Sequence, residues 1–345
     1  MIIVTRSSIS EEELTQLLAR IEEVGVTPHL SRGAHQAVIG CVGDVERLRG
    51  MPILTWPGVD AVLPVRKPYK LASREFRVEP SQFGVGPGGK VVVGGPGIAV
   101  IGGPCSVEGR EMLDATAVAV KASGAVMLRG GAFKPRTSPY GFQGMGEEGL
   151  KLLAEVRERH GLPVVTEVMD TRQVELVAQY ADVLQVGSRN MHNFPLLTEV
   201  GKTDKPVLLK RGFAATIKEF LLAAEYIMAQ GNHRVILCIR GIRTYEDAVR
   251  NTFDVGVVPV LKHESHLPVF VDPSHAAGIY RYVAPLAFAG IAAGADGMIV
   301  EVHPDPPTAC SDGEQSLTFA SFDAMMAGAR RFAEAAGRSL LTPLD

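Results

Sequence analysis

From about residue 98 the chain repeats one pattern. A short apolar run ends on a charged or hydrogen-bonding residue, and a stretch long enough for one helix comes after it. The runs are AVMLR ending at Arg129, PVVTE at Glu167, DVLQVGSR at Arg189, PVLLK at Lys210, VILCIR at Arg240, PVFVDPSH at His275 and GMIVE at Glu301. An eighth run, IAVIGG, precedes them and leads into Cys105. Eight buried strands alternating with helices predict an α/β fold, a (β/α)8 TIM barrel over about residues 98–338. In such a barrel the strand C-termini and the loops after them converge on one mouth, so these run-ending residues become neighbours. Thr216 with Glu219 and Thr244 with Asp247 read as helix starts, and Gly124, Gly161, Gly231, Gly294 and Gly337 fall where helices should end.

Residues 1 to about 65 have another rhythm. MIIVT reads as a strand, and Ser10 with Glu13 three residues on is a capping-box start for an amphipathic helix to about Val24. HLS, AVIGCV, a short helical stretch after Asp44 and VDAVLPV complete a β-α-β-β-α-β order, that of a small N-terminal ferredoxin-like α+β domain. It holds no cluster of catalytic residue types, so regulation or assembly is its expected role. Residues 66–97 read as a linker and a β-hairpin with a Gly-rich turn at Gly84 to Gly89. A nucleotide site is not expected there, because a second strand (KVVV) comes directly after the glycines, where the dinucleotide fingerprint needs a helix.

Composition narrows the picture. With 35 Lys and Arg against 38 Asp and Glu, the chain has no basic excess and no expected nucleic-acid partner. The cations at the predicted mouth are therefore a local concentration. No apolar run approaches the roughly 18 residues of a membrane helix, and no signal peptide is visible after Met1. Four cysteines (Cys41, Cys105, Cys238, Cys310), widely spaced and without a CxxC pair, suit a reducing compartment; a cytoplasmic protein is expected.

Two groups carry candidate chemistry. Cys105 lies after the first barrel strand, His275 after the seventh, Glu301 ends the eighth, and Asp312 lies in the loop after it. They are too far apart for a short-spacing zinc motif, but the barrel closes strand eight onto strand one. A Cys-His-Glu-Asp set mixes soft and hard donors, which fits a divalent Mn, Fe, Co or Zn ion. The second group is Arg129, Lys134, Arg136, Arg189, Lys210 and Arg240, each at or just past a strand end. Buried cations need counter-charges, and Glu167, Glu301 and Asp272 are too few for six, so an anionic ligand is expected. His303 shares the parity of Glu301 and reads either as support for the mouth or as a core histidine. Cys238 reads as packing, Cys310 as incidental, and His192, His263 and His266 as surface or loop residues.

The motifs GPCSVEGR, LRGGAFKPRTSPYGFQG, VTEVMD, VGSRNMHNF, PVLLKRG, RGIRTYE, SHLPVFVDPSH, IVEVHPDP and SDGEQSL together resemble those of 3-deoxy-D-arabino-heptulosonate 7-phosphate synthases. The likeness covers about residues 98–335, in order, and the N-terminal unit resembles the regulatory domain that some members carry. The resemblance implies condensation of phosphoenolpyruvate with D-erythrose 4-phosphate and water, releasing phosphate, as the first step of the shikimate pathway to aromatic amino acids. By motif position, Cys105, His275, Glu301 and Asp312 match metal ligands, and Arg129, Lys134, Arg189, Lys210 and Arg240 match residues that hold phosphoenolpyruvate. Arg136 and Thr137 match the grip on the aldose phosphate. Lys134, Cys105 and His275 are the expected catalytic residues, with the proton donor to the new alkoxide left open between Lys134 and a water at the metal. The resemblance further implies a homo-oligomer, a tetramer, and inhibition by tyrosine or phenylalanine. His29 and Ser31 alternate along one strand of the small domain and would meet the inhibitor from one face. Ile239 departs from the pattern, since relatives often carry Glu before this Arg-Gly.

Three other readings remain open at this point. They are an octulosonate-type synthase using a five-carbon aldose phosphate, a metal-dependent aldolase or lyase, and a phosphometabolite sensor on an inactive barrel. The KPRTS loop favours the four-carbon aldose over the five-carbon one, and the complete donor quartet disfavours the sensor.

Overall fold

A computed structural model of the chain describes residues 1–33, 36–63, 67–134 and 140–343, with Glu46 and Arg49 described by backbone alone. It divides into two units, Met1–Glu79 with His263–His266, and Pro80–Lys262 with Leu267–Asp345.

The first unit contains β1 (Ile2–Thr5), α1 (Glu11–Glu23), β2 (Thr27–Arg32), β3 (Ala37–Val42), α2 (Glu46–Arg49) and β4 (Val59–Leu63). Its antiparallel sheet has the order β2-β3-β1-β4, the ferredoxin-like arrangement. Ser10 caps α1 as predicted: its hydroxyl accepts from Glu13 N, and the Glu13 side chain accepts from Ser10 N. With that start fixed, the helical period turns Leu14, Leu17 and Ile21 inward onto Ile3, Ile39 and Cys41 of the sheet. His29 and Ser31 are half-buried on β2, opposite Gly40 and Val38 of β3. His266 is not the surface residue its loop position suggested. It is buried, because its Nε2 lies 2.7 Å from the Leu71 carbonyl oxygen, which satisfies the ring.

In the second unit eight parallel strands close on themselves: β7 (Gly97–Gly103), β8 (Met127–Arg129), β9 (Val164–Val168), β10 (Val183–Val186), β11 (Val207–Lys210), β12 (Val235–Ile239), β13 (Val269–Val271) and β14 (Gly297–Glu301). The closing pair sets Ile299 opposite Ile101 and Glu301 opposite Gly103. The hairpin β5 (Phe83–Val85) and β6 (Val91–Val93) is more than a linker. Val85, Val91 and Val93 join Ala99, Ile101 and Phe270 in one buried apolar cluster. Gly297 makes room there, since a Cβ on it would stand 2.3 Å from the Phe270 ring. A last short strand, β15 (Ser339–Leu340), pairs with β7.

The helices are α3 (Arg110–Ser123), α4 (Glu147–His160), α5 (Val174–Tyr180), α6 (Phe194–Gly201), α7 (Ile217–Met228), α8 (Val257–Glu264), α9 (Pro273–Ala277), α10 (Tyr280–Ala292) and α11 (Phe319–Ala335). Thr216 and Glu219 form the predicted capping box of α7, and Gly124 and Gly161 end α3 and α4 in the left-handed conformation. Thr244 does not start a helix. Its hydroxyl is 2.5 Å from that of Thr252, and Ile242 bridges Thr252 antiparallel, so the segment is a short ribbon and α8 begins only at Val257. Among the described residues no helix is long and apolar enough to cross a membrane.

Candidate active site at the C-terminal mouth of the barrel

The strand ends deliver their last residues to one cavity. Cys105 (after β7), Arg129 (β8), Lys134, Arg189 (after β10), Lys210 (β11), Arg240 (after β12), His275 (on α9) and Asp312 all line it. Glu301, the last residue of β14, lies behind this lining with its carboxylate fully buried. Arg129 Nη2 is 3.1 Å from Glu301 Oε1, and Lys210 Nζ is paired with Asp272 Oδ2.

Three of the four candidate donors form one group, and the fourth, His275, faces two of them. Cys105 Sγ, a Glu301 oxygen and an Asp312 oxygen lie within 4.8 Å of one another. His275 Nε2 is 3.4 Å from Glu301 Oε1 and 3.7 Å from Asp312 Oδ2. One divalent ion with bonds of about 2.0–2.3 Å spans such separations. Two further observations fit an ion. Glu301 Oε1 is buried and, despite Arg129 Nη2 at 3.1 Å, accepts no hydrogen bond of proper geometry. Asp312 is the one non-glycine with positive φ (50°) among the described residues, the kind of strain that functional sites retain.

The electrostatics are set by burial. Burial pushes the Cys105 thiol up to about 12, with Glu301 adding to the shift. His275 is lowered by burial, so it is a neutral imidazole near pH 7. Its Nδ1 lies 2.8 Å from Asp272 Oδ2, off the line of a strict hydrogen bond, which leaves Nε2 toward the other donors. Burial works against ionisation of Asp272, yet His275 and Lys210 hold it well below the usual carboxylate range. Burial, and then the charges of Arg250 and Arg189, lower Arg240 to about 10. A guanidinium stays charged at neutral pH, so the direction reports a cation short of counter-charge. Its Nη1 is indeed buried without a partner, and its guanidinium carbon stands 4.6 Å from the Phe213 ring centre.

A family model described as the DAHP synthetase I family matches residues 75–333, and another, the DAHP synthase ferredoxin-like domain, matches residues 1–67. The chain belongs to the DAHP synthetase I family. It is 48% identical to a phospho-2-dehydro-3-deoxyheptonate aldolase of Thermotoga maritima, over 98% of this chain and 99% of that one. A crystal structure of the Thermotoga maritima DAHP synthase covers 98% of both chains at 46% identity and a TM-score of 0.77. A 2-dehydro-3-deoxyphosphooctonate aldolase of Syntrophobacter fumaroxidans is 35% identical, over 63% of this chain and 81% of its own.

In this DAHP synthase family member, Arg136 and Thr137 lie outside the described residues. His29 and Ser31 share one strand of the small domain, as expected from their spacing. Ile239 is fully buried in β12, on the strand face opposite Cys238 and Arg240. His303 does not line the cavity; its Nε2 is 3.4 Å from Glu108 Oε2 and its Nδ1 accepts from Asp305 N. Arg211 faces the loops, paired at 2.8 Å with Asp254. Sequence reasoning missed Phe213, whose ring is flanked by the guanidinium groups of Arg189, Arg240 and Arg243. It also missed Arg250, which lines the cavity, and Gln315, which donates to Glu301 Oε2. Gln315 stands in the SDGEQSL motif and was within reach. Arg250 directly succeeds no strand, so the strand-end rule passed over it.

Proposed function

We propose that the barrel condenses phosphoenolpyruvate with D-erythrose 4-phosphate and water to give 3-deoxy-D-arabino-heptulosonate 7-phosphate and inorganic phosphate. The observation that carries the proposal is the set of five cations, Arg129, Lys134, Arg189, Lys210 and Arg240, on one cavity beside the Cys105, Glu301 and Asp312 donors. Phosphoenolpyruvate carries two anionic groups on three carbons, and Arg and Lys at those strand ends would pair both and fix its plane. A divalent ion held by Cys105, His275, Glu301 and Asp312 would supply Lewis acidity to the aldehyde oxygen.

With the plane fixed, C3 of phosphoenolpyruvate forms a bond to the aldehyde carbon while the C=C π pair is spent. The aldehyde oxygen becomes an alkoxide and takes a proton. Lys134 is a candidate donor, since its Nζ lies within the cavity, 3.1 Å from Cys105 Sγ. Positive charge develops at C2. Water adds there and loses a proton, for which the cavity-lining carboxylate of Glu167 is a candidate acceptor. The C2–O bond to phosphate then breaks as the new C2 hydroxyl passes its proton to the departing phosphate, leaving the ketone. Arg136 and Thr137 are proposed to hold the phosphate of the aldose.

The small domain is proposed to be regulatory, with tyrosine or phenylalanine as effector and His29 and Ser31 as polar contacts. Allosteric control needs an effector that binds two states of the enzyme unequally. A homotetramer in the cytoplasm, at the first step of the shikimate pathway, completes the proposal.

Assay of phosphoenolpyruvate consumption with erythrose 4-phosphate and, separately, arabinose 5-phosphate tests the aldose assignment. Preference for the four-carbon aldose is expected. Preference for the five-carbon aldose would make the enzyme an octulosonate synthase.

A further inference from the structure

Two carboxylates, Glu301 and Asp312, each offer two oxygens to the centre of the donor group, and each has one oxygen already engaged. Gln315 Nε2 donates to Glu301 Oε2. Arg250 Nη1 donates to Asp312 Oδ1 at 3.1 Å and to Gln315 Oε1 at 2.7 Å. The oxygens left over are the ones that face the other donors. Asp312 Oδ2 is 3.3 Å from Cys105 Sγ, and Glu301 Oε1 is 3.4 Å from His275 Nε2.

We propose that Arg250, acting directly on Asp312 and through Gln315 on Glu301, decides which oxygen of each carboxylate is presented to the cation. The proposal rests on reading Cys105, His275, Glu301 and Asp312 as a divalent-cation site. Arg250 is a positioning residue in it.

The backbone around Arg250 is built for such a task. Arg250 N donates to Ala277 O and Asn251 N to Ala276 O, at 3.2 and 3.0 Å, while Asn251 Nδ2 donates to the His275 carbonyl at 2.8 Å. The same dipeptide thus grips the short helix that carries His275. Gly278 lets the two segments approach: a Cβ on it would stand 2.4 Å from Arg250 Cβ, and its φ of +72° is itself one that L side chains rarely adopt. Three of the four donors are therefore tied to Arg250–Asn251. A carboxylate free to rotate would also present either oxygen, and Asp312 sits at a strained φ of 50° in a loop, where its side chain most needs fixing. Both acceptors meet the same Nη1, whose two N–H bonds diverge in the fixed plane of the guanidinium and so hold Asp312 and Gln315 at set directions.

Outer partners that orient metal ligands typically contribute 10–100-fold in affinity. The test is titration of Co2+ into the chelator-stripped full-length protein without substrates, read by affinity and by the visible sulfur-to-cobalt charge-transfer band. Arg250→Ala and Gln315→Ala should each weaken Co2+ by about 10–100-fold. The double variant should be no weaker than the worse single, because both act on one chain of contacts. Arg250→Lys should restore only part of the affinity, because an ammonium on a flexible stem is held less firmly between the two acceptors than a planar guanidinium. The unfolding midpoints of the metal-free variants should match that of the metal-free parent, which separates positioning from folding. If the parent binds Co2+ and both single variants bind within twofold of it, the positioning role is overturned. Additive losses would overturn the link between the two residues. A parent that binds no Co2+ would sink the cation site itself, and the positioning role with it.

Discussion

Asp272 Oδ2 lies 2.8 Å from His275 Nδ1, three residues on in the short helix that Asp272 caps, and is also paired with Lys210 Nζ at the end of β11, two strands away. One buried carboxylate thereby stands against both the candidate donor imidazole and a cation that lines the cavity. Asp272→Asn should release both. We expect kcat/KM to fall by about 10–100-fold, with lower bound metal and a raised KM for phosphoenolpyruvate. Steady-state kinetics with elemental analysis checks this; a variant with parental metal content and KM would contradict it.

Cys105→Ser should keep the fold and lose most of the divalent-ion affinity. The thiol is buried and flanked by Lys134 Nζ at 3.1 Å and Asp312 Oδ2 at 3.3 Å, so little packing depends on the sulfur. In the parent, stripping the metal should turn Cys105 from a bound thiolate into a buried thiol raised to about 12, so its oxidation by peroxide should differ from that of the loaded enzyme. Mass spectrometry of peroxide-treated samples, with and without added metal, reads the difference. Equal oxidation in both would count against a thiolate ligand.

How much of the molecule was legible in its sequence is clearest at the strand ends. Arg129, Lys210 and Glu301 each terminate a continuous apolar run, and a barrel has only one end where such residues meet, so pattern and topology together predicted their grouping. The capping box at Thr216 was readable because it is local. Thr244 shows the limit of that rule, since its hydroxyl was claimed by Thr252 across a ribbon that no local motif encodes. Arg250, Gln315 and Phe213 act through contacts between loops of different strands, and neither periodicity nor spacing reports those.

Arg240 carries a buried Nη1 without a partner. An anion that supplies the missing counter-charge should stabilise the fold. At 100 times its dissociation constant, phosphoenolpyruvate should add about 2.7 kcal/mol, seen as a rise in Tm of several degrees against a chloride control of equal ionic strength. Arg240→Ala should shrink that rise. No rise in the parent would contradict an anion site.

Arg136→Ala should raise the KM for the aldose phosphate far more than that for phosphoenolpyruvate. Arg is the side chain suited to bidentate capture of a phosphate, and this loop is proposed to set the distance from that anchor to the aldehyde. Equal increases in both KM values would reassign the loop.

His29 is lowered by burial from the usual histidine range. A cationic form disfavoured in the folded state means that the unfolded chain binds more protons, so stability is present above about pH 6.5 and is lost as pH falls through the folded value. NMR titration of the His29 ring should give a midpoint below 6.5, and the small domain should weaken on acidification; a midpoint at or above 6.5 would contradict the burial argument. Near pH 7 His29 would meet an effector as a neutral hydrogen-bonding ring. Removal of residues 1–65 should leave an active barrel that tyrosine and phenylalanine do not inhibit, whereas an intact enzyme indifferent to both at millimolar concentration would make the domain structural.

On the proposed reading, this barrel joins phosphoenolpyruvate to erythrose 4-phosphate with release of phosphate at a divalent-ion site. The most direct measurement is the ultraviolet absorbance of phosphoenolpyruvate after erythrose 4-phosphate is added, with inorganic phosphate assayed in the same samples. The absorbance should fall with one phosphate released per phosphoenolpyruvate, stop on chelation and resume when Mn2+ or Co2+ is restored. Unchanged turnover in metal-stripped enzyme, or consumption without phosphate release, would contradict the account.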